Sequence, residues 1–415
     1  MVSEDSQELK TKSSLYQKVL PRVANDTPLP KETDVVVIGG GLAGCATAYY
    51  LAKQGVECVV LERRELNREA SGSNAGSLHF QIALHQIDDP LLSDSSKARL
   101  IKEISMYVEA SRVWQTLENE LSADLGVAMH GGFMVAETDE QVKTLYWKQK
   151  IEAEAGLSTC VMDISEAREF VPQFSDRVKA VDFCPLEGHA NPLLVTPAYA
   201  ARAQQLGALF FTNCEVQNIE YLSKGIQGPR FKIHSTHGVI HAHRVVNATG
   251  AWANDLSVML NVSLPISRML LHVNVTERYE YSLKYLVQHI GRRLTLKQAE
   301  AGNYLIGGGW PARSDMNMGR YKVRWDSGAG NVAVAKDVIP ELQNAKIIRM
   351  WAGSMPFVLD MMPIIGEVSK VPGYYICIAT TGFTLLPLLA QVLAEAIVMH
   401  KNSLMEYSPA RLHVY

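Results

Sequence analysis

The chain has 415 residues, of which 47% are hydrophobic and 20% charged, a composition typical of a globular protein with a large buried core. A single core rarely extends over so many residues, so we expect two domains. Lys and Arg total 40 against 43 Asp and Glu, and the resulting net charge of -3 gives no electrostatic basis for binding nucleic acid or an anionic membrane.

The six cysteines indicate neither a metal site nor a disulfide framework. Their positions are 45, 58, 160, 184, 214 and 377, with no paired metal-ligand spacing. We expect them to be small buried hydrophobic residues in a reducing compartment.

The N-terminal region shows no targeting signal. Residues 1–30 are polar and indicate an N-terminal extension on the surface or on a partner, in which 15–23 is helical or irregular. They lack the basic start and apolar centre of a signal peptide. No uninterrupted apolar run reaches the roughly 18 residues that span a bilayer. We therefore expect a soluble, cytoplasmic protein without a transmembrane segment.

Residues 34–62 form the motif around which the chain is organised. An apolar strand leads into a glycine turn, an Ala-rich helix over 45–54 and a second strand that ends at Glu62. The turn contains Gly39, Gly41, Leu42, Ala43 and Gly44 in Gly-x-Gly-x-x-Gly spacing. Glycines let the backbone approach a pyrophosphate, whose charge is met by the helix N-terminus, and the acid accepts ribose hydroxyls. This predicts a dinucleotide site, although the turn does not distinguish NAD from FAD; the alternative is an ordinary Gly-rich turn.

Three later segments bring small residues to a turn or a helix start. They are Ser73-Asn74-Ala75-Gly76, the end of a strand at Ala248-Thr249-Gly250, and Gly382-Phe383-Thr384 at the start of a helix over 380–400. Small side chains suit a backbone that lies against a flat ring or a phosphate, and a helix N-terminus stabilises negative charge on a reduced flavin. The alternatives are a loop of turn formers and a simple capped helix.

The remaining pattern predicts an α/β protein with a second, β-rich part. Apolar periodicity indicates helices over 95–121, 139–156, 163–170 and 196–206. Strand signals follow at 209–246, at 264–310 and at 374–378.

Together these motifs make the chain resemble the FAD-dependent D-amino-acid oxidase superfamily, in its glycine oxidase, sarcosine oxidase and D-amino-acid dehydrogenase branch. The resemblance runs from Asp34 to His400. The motifs that carry it, in chain order, are Gly39-x-Gly41-x-x-Gly44 with Glu62, Ser73-Asn74-Ala75-Gly76, Asn247-Ala248-Thr249-Gly250-Ala251-Trp252, Asp360-x-x-Pro363-Ile364-Ile365-Gly366 and Gly382-Phe383-Thr384-Leu385.

The resemblance implies a fold with an FAD-binding Rossmann-like domain of the glutathione-reductase type and a mostly antiparallel β substrate domain. It implies an FAD domain over 31–90, 160–258 and 343–415 and a substrate domain over 91–159 and 259–342. It also implies contacts with FAD: the pyrophosphate at Gly39 to Gly44, the ribose at Glu62 with Arg63 nearby, the adenine at the backbone of Val216, the ADP portion at Ala248 and Gly250, and the flavin at Ser73, Asn74, Ala75, Gly76, Gly353, Gly382, Phe383 and Thr384.

The implied reaction is oxidation of the C–N bond of an amino acid or N-substituted amino acid. Hydride passes to flavin N5, and the resulting imine hydrolyses. The pocket candidates are His79, His272, Arg292, Arg293 and Lys297, with Lys297 nominated as a cation near N5 that favours oxygen reduction. Residues 351–360 contain no cysteine and 73–76 no histidine, so we expect noncovalent FAD.

The substrate remains open, because no arginine stands near Ser354-Met355, where some members bind a substrate carboxylate. A 2-hydroxy-acid dehydrogenase is an alternative in which His79 or His272 acts as base. A flavin-binding scaffold of a larger complex is another. Residues 74–79 also resemble the catalytic subunits of heteromeric opine oxidases and hydroxyproline dehydrogenases, which leaves room for partner subunits or a homo-oligomer.

Overall fold

A computed structural model describes residues 28–82, 94–222, 228–315, 320–399 and 404–412. Most of the N-terminal extension, including the segment 15–23, lies outside these ranges. The described helices are α1 Leu42–Lys53, α2 Ala70–Ser73, α3 Asp94–Leu121, α4 Asp139–Glu154, α5 Ile164–Phe170, α6 Pro192–Gln205, α7 Ala253–Ser257, α8 Trp325–Val338 and α9 Gly382–Met399.

The strands of the described ranges form two large sheets and two short ladders. Their bounds are β1 Glu32–Ile38, β2 Cys58–Leu61, β3 Ser77–Leu78, β4 Gly132–Ala136, β5 Cys160–Asp163, β6 Ala180–Cys184, β7 Gly188–His189, β8 Leu209–Phe211, β9 Val216–Tyr221, β10 Phe231–Ser235, β11 Gly238–Asn247, β12 Ile266–Arg278, β13 Leu286–His289, β14 Thr295–Gln298, β15 Asn303–Gly307, β16 Ala312–Asp315, β17 Arg320–Val323, β18 Ile347–Val358, β19 Ile364–Glu367 and β20 Tyr374–Ile378.

The first sheet carries the nucleotide motif at its centre. Its order is β19-β20-β11-β1-β2-β8, with β10 and β9 added beside β11. The strands from β20 to β8 are parallel. Val35 and Val37 pack under α1, α3, α6 and α9, whereas Val36 and Ile38 pack under β9, β10 and α7. Both faces are covered, which explains why β1 is a continuous apolar run.

The second sheet has the order β18-β12-β15-β14-β13-β4-β6-β5. Its pairs are antiparallel except for β13 with β4. Helices α5 and α8 pack on one face, and α3 and α4 on the other. The predicted α/β fold with a mostly antiparallel β part is confirmed.

The division of the chain into domain ranges stays a prediction, but the strand pairing suggests where its boundaries fall. Within the predicted FAD-domain segment 160–258, β6 pairs with β4 of the second sheet and β5 pairs with β6. β18, within the predicted segment 343–415, pairs along its length with β12. Sequence order does not reveal such pairing, because the partners are far apart in the chain. We propose that these three strands belong to the substrate domain.

Helix α9 is long and apolar enough to span a bilayer by length and composition alone. In the structure it packs against α1 and α3, and Leu385, Leu389 and Leu393 are fully buried. This is the packing of a core helix.

Among the cysteines, Cys160 is exposed and the other five are buried, so the expectation of burial is wrong for Cys160, which lies on the edge strand β5.

A buried ionic cluster joins α4 to the second sheet. The Lys148 Nζ donates to Glu152 Oε2 at 2.8 Å, to Asp182 Oδ2 at 2.6 Å and to Gln81 Oε1 at 2.8 Å. Both carboxylate side chains and the lysine are completely buried. Burial alone lowers the pKa of Lys148, but the two carboxylates outweigh it and raise the pKa above its ordinary value.

Replacing Lys148 by Met is expected to destabilise the protein by about 3–5 kcal/mol, because it leaves two buried carboxylates without a cation. The matched control is Lys179→Met, which removes an exposed ion pair with Asp139 and is expected to cost less than about 1 kcal/mol. Urea unfolding of both variants measures the difference. Equal losses would contradict the assignment of the Lys148 cluster as a structural centre.

Candidate cofactor and active site

The glycine turn packs the start of α1 directly against β1. Gly39 has φ +113°, and a Cβ there would lie 2.5 Å from the Ala248 carbonyl oxygen. A Cβ at Gly44 would overlap the Gly39 carbonyl oxygen. The Leu42 N–H donates to Ser71 Oγ at 2.8 Å, so α2 lies against the same helix end. The N-terminus of α1 therefore faces the groove at the carboxyl edge of the sheet, where it favours an anion.

Glu62 stands at the carboxyl end of β2 and is held in a fixed orientation. Its Oε2 accepts from the Gly40 N–H at 2.7 Å and its Oε1 from the Arg64 N–H at 2.8 Å. A carboxylate has about four acceptor sites, so capacity remains for the hydroxyls of a ribose.

A groove runs from the glycine turn along the carboxyl ends of β1, β2 and β11. Its lining includes Gly39, Gly41, Glu62, Arg63, Ala70, Ser71, Val216, Ala248, Thr249, Gly250, Trp252 and Ser354. The structure thus brings together the residues expected around the ADP portion, although they come from four separate parts of the chain.

Trp252 forms part of the groove wall between two guanidinium groups. The Arg63 Cζ lies 4.1 Å from the centroid of the Trp252 ring and the Arg268 Cζ lies 5.1 Å from it. These are cation–π distances. Arg268 reaches this place from β12 of the second sheet, so the stack joins the two sheets at the groove.

The expected flavin segments meet beyond the groove. The Trp351 Nε1 donates to the Ser73 carbonyl oxygen at 2.7 Å, and Gly353 lies against Ser73 so closely that no Cβ would fit between them. The His79 N–H donates to Thr384 Oγ1 at 3.2 Å. The loop 73–79, β18 and the start of α9 therefore form one continuous wall.

Lys297 lies beside this wall, together with two histidines. A Cβ built on Gly76 would lie 3.0 Å from the Lys297 Nζ, and Lys297 is only 4% exposed. Burial lowers the pKa of Lys297 to about 7. Burial and the nearby Lys297 charge lower the pKa of His79 to about 4 and that of His189 to about 3. Both imidazoles are therefore neutral at physiological pH.

This group, which we call the Lys297 cluster (His79, His189 and Lys297), contains polar groups without partners. The Nδ1 atoms of both histidines and the neighbouring Ser77 Oγ are buried without a hydrogen-bond partner among the described residues. Unpaired buried polar atoms are costly, and a group of titratable side chains with perturbed pKa values indicates a candidate functional site. His189 was not among the site residues predicted from the sequence; β3 and β7 bring it opposite Ser77.

The other pocket candidates have partners of their own, although His272 pairs on β12 with Ala352, between the wall residues Trp351 and Gly353. The His272 imidazole is 3.4 Å from the Asn274 amide, and the His272 N–H donates to the Trp310 carbonyl oxygen. Arg292 donates to Asp337 at 2.8 Å and to Glu137 at 2.6 Å, which is a structural ion network. Arg293 is exposed. None of their described contacts reaches the Lys297 cluster.

The fold and the site define a dinucleotide-binding protein with two large sheets, a groove at the carboxyl edge of the first sheet and a buried polar cluster beside the loop 73–76. The glycine cradle, the α1 N-terminus and the pinned Glu62 suit the ADP portion of FAD, and the small-residue wall at Ser73 and Gly353 suits a flat ring. Within the described residues no group of three metal-ligating side chains occurs.

Comparison with known proteins identifies the family. The family model described as DAO, FAD dependent oxidoreductase, matches residues 34–396, so the chain belongs to this family. It is an FAD-dependent oxidoreductase, and the predicted family, enzyme class and cofactor are confirmed.

Individual relatives cover nearly the whole chain. An opine oxidase subunit of Rhizobium meliloti is 27% identical over 89% of this chain and 94% of its own length. The beta subunit of sarcosine oxidase from Arthrobacter sp is 27% identical over 89% of this chain and 88% of its own length. The crystal structure of L-proline dehydrogenase from P. horikoshii has a TM-score of 0.80 at 24% identity and covers 93% of this chain and 99% of that one, which shows the shared fold.

Replacing Gly44 by Ala is expected to abolish FAD binding, because the added methyl group overlaps the Gly39 carbonyl and displaces α1 from the turn. The control is Gly55→Ala. Gly55 has φ +77°, and a Cβ added there would have no atom within 4 Å. This substitution is therefore expected to strain only the backbone of its turn, by about 1 kcal/mol. The ratio of FAD to protein after purification is the measurement. Full FAD content in the Gly44 variant would contradict the packing argument.

Replacing Lys297 by Met is expected to remove a pH dependence of stability. An unfolded lysine has a pKa near 10.4, whereas folded Lys297 loses its proton at about 7. Between these values the unfolded state binds the extra proton, so the wild type becomes more stable relative to the variant as pH rises, by up to about 1.4 kcal/mol per pH unit.

Urea unfolding of the FAD-loaded proteins at pH 7 and pH 9 measures this difference. The control is Lys284→Met, because Lys284 is exposed and its removal is expected to leave the pH dependence unchanged. Parallel pH dependence in wild type and the Lys297 variant would show that Lys297 stays protonated in the fold.

Proposed function

We propose that this protein oxidises the C–N bond of an amino acid or N-substituted amino acid. The observation that carries the proposal is the Lys297 cluster, which places a buried lysine and two neutral imidazoles beside the loop 73–76. Bound FAD supplies the two-electron acceptor for the reaction. The protein contributes orientation of the substrate and exclusion of water. The relatives named as opine oxidase and sarcosine oxidase subunits support a substrate of this class.

Lys297 supplies the positive charge of the site. It is the cation at Gly76, and no described residue forms an ion pair with it, so its ammonium form is free to attract a substrate carboxylate. With a pKa near 7, its neutral form also accepts a proton from a substrate ammonium, which leaves the amine unprotonated. The imine product then hydrolyses in water. We also propose the role predicted for Lys297 from the sequence, in which its positive charge favours the reduction of oxygen.

The histidines support amine oxidation over alcohol oxidation. A 2-hydroxy acid needs a base to accept its hydroxyl proton. Burial lowers the pKa of His79 to about 4, which makes its imidazole a weak base at neutral pH, and burial also lowers the pKa of His272. An amine that is already unprotonated needs no such base.

We also propose that the chain acts with partner subunits. Two relatives that match nearly its full length, from opine oxidase and from sarcosine oxidase, are themselves named as subunits. A partner would then receive the electrons that do not pass to oxygen.

The test is an anaerobic visible spectrum of the purified FAD-loaded protein before and after addition of single compounds. The panel contains glycine, sarcosine, proline, D-amino acids, opines and 2-hydroxy acids. We expect one or more amines to bleach the flavin band and 2-hydroxy acids to leave it unchanged. Bleaching by a 2-hydroxy acid alone would overturn the proposal, and a band that no compound bleaches would favour the flavin-binding scaffold.

Two variants sharpen the test. Lys297→Met is expected to slow flavin reduction by an amine at least about tenfold, which corresponds to about 1.4 kcal/mol of transition-state stabilisation. His272→Ala is the matched control, because its imidazole contacts Asn274 and not the cluster, and its rate is expected to change by less than about threefold. The reverse order of effects would place the substrate at His272.

A further inference from the structure

A buried carboxylate connects the loop after the flavin wall to the second sheet. Glu187 Oε1 accepts from the Phe80 N–H at 3.1 Å and the Gln81 N–H at 3.2 Å. Its Oε2 accepts from Gln81 Nε2 at 2.8 Å. The Gln288 Nε2, on β13, lies 3.0 Å from Oε1 and 2.9 Å from Oε2. Glu187 thus holds three segments that are far apart in the chain.

The Glu187 side chain packs closely against its neighbours, but no described residue forms an ion pair with it. Glu187 is completely buried, and a Cβ at Gly132 would overlap its side chain. None of the described ion pairs includes it, in contrast to Glu152 and Asp182, which share Lys148. Burial raises the pKa of Glu187 to about 7 against the opposing effect of its N–H donors. Burying a carboxylate without an ion pair costs free energy. We therefore expect Glu187 to have a role beyond packing.

The contacts of Glu187 converge on His79. Phe80 and Gln81 directly follow His79, whose own N–H is bound by Thr384. His79 Nδ1 has no hydrogen-bond partner among the described residues, so the described bonds that fix His79 are those of its own main chain and of the two residues after it.

We propose that Glu187 is a positioning residue that fixes the main chain of Phe80 and Gln81 and thereby holds the His79 imidazole in its place in the Lys297 cluster. The proposal rests on the proposed function, because His79 belongs to the Lys297 cluster. Without the carboxylate, the Phe80 and Gln81 N–H groups lose their acceptor, and the position of the His79 imidazole is lost.

The decisive measurement is a double-mutant cycle on the FAD-loaded protein. Glu187→Gln is expected to slow anaerobic flavin reduction by the active amine at least about tenfold with unchanged FAD content. In a His79→Ala background the same substitution is expected to change the rate by less than about twofold, because its effect passes through His79. Gln288→Ala keeps the carboxylate but removes the donor to both Glu187 oxygens, and it is expected to show the same dependence on His79. This second variant keeps the test valid if the Glu187 variant does not fold.

The matched control is Glu118→Gln. Glu118 also accepts two main-chain N–H bonds, from Leu125 at 2.8 Å and Val127 at 3.2 Å, but it has no described contact with His79. Any effect of this control is expected to be the same with and without His79. A rate loss from Glu187→Gln or Gln288→Ala that persists undiminished in the His79→Ala background would overturn the proposal.

The flavin midpoint potential gives a readout that needs no substrate. We expect Glu187→Gln to shift the potential in the wild-type background and to shift it less in the His79→Ala background. If no amine bleaches the wild-type flavin, the proposed function fails, but this potential cycle still decides the role of Glu187. Equal shifts in both backgrounds would show that Glu187 acts on the flavin independently of His79.

Discussion

The close contact between the start of α1 and the end of β1 is the constraint on which the site depends. Gly39 and Gly44 remove the side chains that would separate helix and strand, so the first N–H groups of α1 face the groove at the carboxyl edge of the sheet. Glu62, Ala248 and Gly250 reach the same edge because parallel strands end together there.

The second sheet completes the site by supplying charge from a different part of the chain. β14 carries Lys297 to Gly76, and β12 carries Arg268 to Trp252. These contacts join the second sheet to the nucleotide-binding part of the chain, so both parts line the candidate site.

The buried polar groups of this interface fall into two kinds. Lys148 has three acceptors, and Glu152 also accepts from the Ile82 N–H and the Thr159 hydroxyl, which is the pattern of a structural cluster. His79, His189 and Ser77 retain unpaired atoms, and Lys297 is a buried cation without a described anion. Unpaired groups gathered around a buried lysine indicate a place where a ligand completes the hydrogen bonds.

Much of the local structure followed from the sequence. The strand at 374–378 has the predicted bounds, and α3 and α4 lie within two residues of theirs, because apolar periodicity and turn residues act over short distances. Helix α6 begins at Pro192, four residues earlier than predicted. Asn191 caps it by accepting from the Leu193 N–H at 3.0 Å, and proline is well tolerated in the first turn of a helix.

The sequence by itself determined the glycine turn, its acid, the small-residue segments and hence the FAD-dependent class, since each depends on residues that are adjacent or regularly spaced. Only the tertiary structure decided that Lys297 reaches Gly76, that Arg292 belongs to a structural ion network, and that Glu187 binds the main chain just after His79. It also decided that β5, β6 and β18 pair in the second sheet. Burial and pairing between distant segments depend on how strands are ordered in a sheet, and the spacing of residues along the chain does not encode that order in a readable form.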